Sequence, residues 1–109
     1  MNNPTRIFDL AYQQQKLYPN HHMFSTKING EWQFTKPAEF IAHTREISKG
    51  LLALGIKPGD RVGLVCESRY EWHVVDFAIQ QIGAVVVAIY PNITDAEYQF
   101  IFNDAEIQL

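Results

Sequence analysis

The 109-residue chain has almost no cysteine, no long apolar run and no excess of positive charge. Its single cysteine, Cys66, cannot close an internal disulfide, which excludes a disulfide-held secreted scaffold and suits a reducing cytoplasm. No apolar stretch approaches the roughly 18–20 residues of a membrane-spanning helix. Met1-Asn2-Asn3-Pro4-Thr5-Arg6 contains no apolar signal core and is soon followed by Asp9. Nine Lys and Arg stand against twelve Asp and Glu, a net charge of −3 with histidines neutral. A nucleic-acid binder carries a basic face, so no nucleic-acid partner is expected. Repeats and low-complexity tracts are missing too, which removes solenoids and linkers from consideration. What remains is 47% hydrophobic and 19% charged, the chemistry of a globular domain.

The first periodic segment is Ile7 to Tyr18, with Ile7, Leu10, Ala11, Leu17 and Tyr18 on one helical stripe and Gln13, Gln14, Gln15 and Lys16 opposite. Met23 to Ile28 and Glu31 to Thr35 then read as a hairpin. Asn29-Gly30 suits its type I′ turn because both residues tolerate positive φ. Thr35 is the expected N-cap of the next helix, with Pro37 in its first turn. That helix places Phe40, Thr44, Ile47, Leu51 and Leu54 on a stripe, lines another face with Glu39, His43, Glu46 and Gly50, and stops at Gly55.

Beyond the tight connection Ile56-Lys57-Pro58-Gly59-Asp60 the pattern changes. Val62 to Cys66 is a short continuous apolar run. Ser68-Arg69-Tyr70-Glu71 has capping-box spacing and opens a helix from about Arg69 to Ile82. Only His73, Asp76 and Gln80 make a narrow polar stripe there, so the helix requires cover around most of its circumference. Ala84 to Ile89 is a second apolar run, Thr94-Asp95-Ala96-Glu97 a second capping box opening a helix to about Asn103, and Ile107 and Leu109 the start of a further strand. Strand, helix, strand makes a parallel, right-handed βαβ unit. Continuous Val/Ile runs require both sheet faces to be buried, which so few strands cannot achieve alone. The fold class expected is therefore α/β: a βαβ unit behind an N-terminal helix plus hairpin. Residues 1–109 are expected to be an incomplete piece that continues beyond Leu109 or is covered by another chain. Its exposed apolar sheet predicts self-association.

Candidate chemistry is sparse. Cys66 follows a strand and reads as a buried strand-end residue rather than a nucleophile. His21, His22, His43 and His73 lack metal-ligand spacing. Glu67 and Glu71 are four apart, but a helix start accounts for both. The turn Cys66-Glu67-Ser68-Arg69 holds no glycine where a dinucleotide-binding fold would carry them, and no phosphate-loop pattern occurs. Trp32, Phe34 and Trp72 read as core aromatics. No catalytic, cofactor-binding or metal-binding residue is assigned within the chain.

Gly55-Ile56-Lys57-Pro58-Gly59-Asp60-Arg61-Val62-Gly63-Leu64 closely resembles the segment G-[IV]-x-[KP]-G-D-R-V-[AG]-[IL] of adenylate-forming, AMP-binding enzymes, the superfamily of acyl-CoA synthetases, luciferases and peptide-synthetase adenylation domains. The resemblance continues in register. Glu67-Ser68-Arg69-Tyr70-Glu71-Trp72 is similar to that family's E-N-R-x-E-W. Asp76, Ala78, Gly83-Ala84-Val85 and Ile89-Tyr90-Pro91 follow its D-x-A, G-A-V and x-Y-P. Glu97, Tyr98, Ile101, Asn103 and Asp104 resemble its E-x-x-Y-I-x-N-D helix. Upstream, Trp32-Gln33-Phe34-Thr35 and Lys49 to Gly55 also fit, so the likeness runs from about Ile7 to Leu109. The variants most resemble long-chain fatty acyl-CoA synthetases, from which Ala88 and Asn92-Ile93 depart, where Pro and Thr-Leu are usual.

The resemblance implies an ATP-dependent ligase using Mg²⁺ and coenzyme A. A carboxylate, here a fatty acid, attacks the α-phosphorus of ATP and expels pyrophosphate, and the coenzyme A thiol then attacks the acyl-adenylate, giving the thioester and AMP. It implies that the residues doing this lie in later sequence and that this stretch supplies scaffold. By the same resemblance the whole enzyme is expected in the cytoplasm, with peripheral membrane association open. In that stretch Gly59 is expected to permit a turn, Asp60 to accept backbone hydrogens, Arg61 to pair across the surface, and Trp72 and Phe77 to anchor the helix to the sheet. The alternatives are a stand-alone, non-catalytic α/β binding or interaction module and a flavodoxin-like domain for a phosphorylated small molecule.

Overall fold

A computed structural model describes residues 3–109. Helix α1 (Asp9–Leu17) is followed by the antiparallel hairpin β1 (Phe24–Ile28) and β2 (Glu31–Thr35), then helix α2 (Pro37–Ala53). Strand β3 (Arg61–Val65), helix α3 (Tyr70–Gln81) and strand β4 (Val85–Ile89) form the βαβ unit, with β3 and β4 parallel, and α4 (Asp95–Asp104) follows. The fold is α/β, as the alternation of apolar runs and helical periods requires.

The hairpin turns where expected. Asn29 and Gly30 have φ of 52° and 82°, the pair of positive values that a type I′ turn needs. Lys36 caps α2, not Thr35, which remains the last residue of β2. The Lys36 amide donates to Glu39 Oε1 at 3.2 Å, and Pro37 then occupies the first helical position, where its missing N–H costs nothing. The turn before β3 is closed by Asp60, whose Oδ2 accepts from the Lys57 amide at 2.8 Å. Past α4, Arg61 bridges Ile107 in parallel, the Gln108 amide donates to Arg61 O, and the Gly63 amide donates to Leu109 O. Residues 107–109 thus run beside β3 on the edge opposite β4.

Packing centres on α3. One cluster joins Leu51, Ile56, Val62, Ala78, Ile79 and Ala84 between α2, α3 and the sheet. A second joins Ala11, Phe40, Ile41 and Val74, with Phe24, Tyr70 and Phe77 against it. Only Glu71 of α3 is exposed, which meets the demand of a helix apolar almost all round. The buried stripe of α2 is Pro37, Phe40, Ile41, Thr44, Ser48 and Leu51; Ile47 and Leu54 of the expected stripe face water. Phe77 packs edge-on against Phe40 at 5.2 Å, so it anchors α3 to α2 rather than to the sheet.

Several apolar faces have no cover among the described residues. In α1 only Ala11 is buried, while Ile7, Leu10, Leu17 and Tyr18 of the expected core stripe are exposed. Val65 and Val85 on the sheet are exposed, and α4 buries no residue. The radius of gyration is 15.5 Å, against roughly 13 Å for a compact domain of this length. The accessible surface is 7547 Å², against about 6,200 Å² for a monomer of this mass.

Candidate functional site

The carboxyl ends of parallel strands are where open α/β sheets bind ligands, and a cleft of about 740 Å³ lies there. Its walls are Cys66, Glu67 and Ser68 after β3, Trp72 and His73 on the first turn of α3, and Ala88 to Asn92 at the exit of β4. The sheet register places Val65 beside Ile89, so both strands end at one level beside the opening.

The structure therefore brings together Cys66, Glu67, Trp72 and His73, and adds Tyr90 and Asn92, which spacing alone did not single out. The signal for those two was topological: residues following a parallel strand line the crevice at its end. Cys66 is half-buried rather than buried. The His73 ring is tilted against Phe24 at 5.3 Å and edge-on to Trp72 at 5.4 Å, which holds it by aromatic packing. Trp72 is half-buried on the cleft wall and is not a buried anchor of the sheet. Tyr98 donates its hydroxyl proton to the Tyr90 carbonyl at 3.2 Å and so ties α4 to the cleft rim.

The expected capping box at Ser68 does not form. Arg69 is the N-cap of α3 and makes no side-chain cap bond. Instead its Nε donates to Glu71 Oε2 at 2.8 Å and its Nη2 to Oε1 at 3.2 Å. This bidentate pair holds the Glu71 carboxyl below the usual carboxylate range and raises the Arg69 guanidinium. Glu71 is thus committed to Arg69 on the surface and is absent from the cleft walls.

The remaining candidates lie elsewhere. His21 stacks on Tyr18 at 5.1 Å, and His22 on Phe34 at 4.0 Å. His43 Nδ1 is 2.7 Å from the Tyr70 hydroxyl. Among the described residues no group of three His, Cys, Asp or Glu could hold a metal ion. Trp32 and Phe34 are exposed, not core: the hairpin turns them outward and packs half-buried Phe24 of the opposite face against the core instead. A triphosphate with Mg²⁺ needs cationic and anionic ligands together. The cleft offers Glu67 and no lysine or arginine, so these residues alone do not fit that group.

A family model described as AMP-binding enzyme matches residues 12–109. A long-chain-fatty-acid–CoA ligase, FadD15, of Mycobacterium bovis is 32% identical over 97 residues, covering 89% of this chain and 16% of the relative. A mitochondrial medium-chain acyl-CoA ligase, ACSF2, of Danio rerio is 38% identical over 63 residues, 58% of this chain and 10% of that protein. Among solved structures, a fatty acid AMP ligase from Legionella pneumophila superposes with a TM-score of 0.84 at 20% identity, over 96% of this chain and 19% of the other. The inhibitor-bound N-terminal domain of FACL13 from Mycobacterium tuberculosis gives 0.86 at 24% identity, over 95% and 26%. The chain spans under a fifth of the length of these two ligase relatives.

Proposed function

The chain belongs to the AMP-binding enzyme family, and from that premise we propose that the whole protein is an ATP-dependent acyl-CoA ligase acting on long-chain fatty acids. The observation that carries this is the 32% identity to a long-chain-fatty-acid–CoA ligase across 89% of the chain. In this reading residues 1–109 are the N-terminal part of the AMP-binding domain, which works in the cytoplasm or at a membrane surface. ATP, Mg²⁺ and coenzyme A serve the whole protein. The donors for them come from sequence outside this stretch, since no lysine or arginine lines its cleft.

The contribution of this stretch is scaffold. Two apolar clusters fix α3 between α2 and the sheet, and the parallel strands present Cys66 to Ser68 and Ala88 to Asn92 at one level. The open sheet face and α4 then supply apolar surface against which the rest of a larger domain packs. No proton or acyl transfer is assigned to a residue of 1–109, and the stretch alone is inactive.

The test is to purify the whole protein and supply Mg-ATP, palmitate and coenzyme A. Palmitoyl-CoA, AMP and pyrophosphate should appear together, and shorter carboxylates should react more slowly. Failure to release AMP with any carboxylate of a chain-length series overturns the ligase reading. Thioester formation confined to short acids overturns its long-chain part. The 109-residue stretch tested alone should release no AMP.

A further inference from the structure

The β1–β2 connection sets an electrophile beside a nucleophile. Of the six asparagines, only Asn29 precedes glycine. Asn3 precedes proline, which has no N–H to attack with. Asn2, Asn20, Asn92 and Asn103 precede residues whose side chains crowd the following amide, and Asn103 is held in the last turn of α4. The Gly30 amide has no such screen: a Cβ placed there would meet nothing within 4 Å. Both turn residues are exposed, with φ of 52° and 82°. Among the described residues, neither the Gly30 N–H nor the Asn29 side-chain amide makes a hydrogen bond; the turn is closed instead by the pairing of Ile28 with Glu31. Closing a ring between the two groups therefore breaks no hydrogen bond of the fold.

We propose that Asn29 is a site of spontaneous deamidation in the folded protein. The Gly30 nitrogen, losing its proton to hydroxide, attacks Asn29 Cγ. The new C–N bond closes a five-membered imide, and the side-chain nitrogen leaves as ammonia. Water then opens the imide. Attack at the side-chain carbonyl gives aspartate at position 29, and attack at the main-chain carbonyl gives isoaspartate. Neither step changes an oxidation state. The only co-reactant is water, so no partner and no further segment has to complete the site.

The consequence falls on the hairpin. Isoaspartate routes the main chain through its side-chain carbon, which lengthens a two-residue connection whose length sets the register of β1 against β2. These strands form a sheet of their own, and a two-stranded sheet is marginal without outside support. That support comes from Phe24, 5.0 Å from Phe40 and 5.2 Å from Tyr70. Slippage by one residue would turn Phe24 away from both rings. Either product also sets a new carboxylate two residues from Glu31.

The experiment is to age the whole protein at physiological temperature, at neutral and mildly alkaline pH, and to map its peptides by mass spectrometry. The peptide bearing Asn29 should gain the mass difference between a hydroxyl and an amino group, faster at the higher pH. Its products should be a mixture in which isoaspartate exceeds aspartate. Conversion at Asn29 should outrun that at Asn92 and Asn103 by about tenfold or more, because the Gly30 nitrogen is unscreened. In the isoaspartyl fraction the amides of residues 24–35 should exchange about tenfold faster while those of α3 hold. Asn29→Gly keeps a residue suited to positive φ and should retain slow exchange through the same ageing. The mapping reads the wild type, so it decides the proposal even if that variant is unstable. An intact Asn29, conversion no faster than at Asn92 and Asn103, or aspartate without isoaspartate overturns the proposal. Unchanged hairpin exchange in the isoaspartyl fraction overturns its structural consequence.

Discussion

Ser48 of α2 and Gln81, the last residue of α3, share a hydrogen bond of 3.2 Å, with Gln81 Nε2 donating to the Ser48 hydroxyl. The hydroxyl donates onward to the Ala78 carbonyl at 3.0 Å, and Tyr12 of α1 donates to Gln81 Oε1 at 2.6 Å. One relay therefore fastens three helices at a place where an apolar pattern alone would have put a hydrophobic residue. Ser48→Ala leaves the Gln81 amide short of a partner in a half-buried site. It should cost about 1–3 kcal/mol in a denaturant melt, and adding Gln81→Leu should recover part of that loss. A cost near zero for Ser48→Ala would show that water replaces the hydroxyl.

Phe40 is the largest side chain with no exposed surface, ringed by Phe24, Tyr70 and Phe77 at 5.0–6.1 Å. It joins the hairpin, α2 and α3 in one aromatic cluster. Phe40→Ala should cost about 3–5 kcal/mol, and Phe40→Leu distinctly less because much of the volume is refilled. The readout is the shift in urea midpoint at unchanged slope. Equal losses for the two variants would mean that the edge-to-face geometry, rather than volume, dominates.

Tyr70 sits against the same cluster, and burial raises its phenol to about 12, with the charges of Glu39 and Glu71 adding to the effect. The neutral form is thus favoured in the folded state relative to the unfolded chain, whose tyrosines ionise near 10. The folded state holds this proton over a range where the unfolded state has lost it. Its contribution is complete below pH 10 and declines as pH rises from about 10 to about 12. The melting temperature should fall across that window, and Tyr70→Phe should flatten the part of the slope due to this group. An unchanged slope in Tyr70→Phe would assign the loss to other groups.

Local signals in the sequence were read well where one residue type has one physical use. Asn29-Gly30 demanded positive φ and took it. The β-branched runs around Val62 and Val86 became the parallel pair. Periodicity failed where it had to say what covers a face. Ile7, Leu10, Trp32 and Phe34 were expected inside and lie exposed, because a stripe identifies residues that share a side and not the surface opposite. The Ser68 capping box failed through competition: Glu71 had Arg69 two residues away, and a bidentate guanidinium outmatched a backbone amide. The cleft was half legible. Its β3 side followed from the strand end, whereas Tyr90 and Asn92 joined it only through the parallel register of strands separated by a whole helix.

The same spacing that failed at Ser68 succeeds at Thr94, and the difference is testable. Here the Glu97 amide donates to Thr94 Oγ1 at 3.2 Å, and the Thr94 amide donates to Glu97 Oε2 at 3.1 Å. No basic residue stands between them to divert Glu97. Because α4 buries none of its residues, its cap carries a larger share of its stability than in the other helices. Thr94→Ala should remove about 1 kcal/mol from α4. Hydrogen exchange in α4 amides should then speed up about fivefold while the amides of α3 stay protected. Thr94→Ser should restore the wild-type rates by supplying the same oxygen. Uniform acceleration across α3 and α4 would mean instead that α4 opens only with the whole domain, and that the sheet edge at Ile107, not the cap, holds it in place.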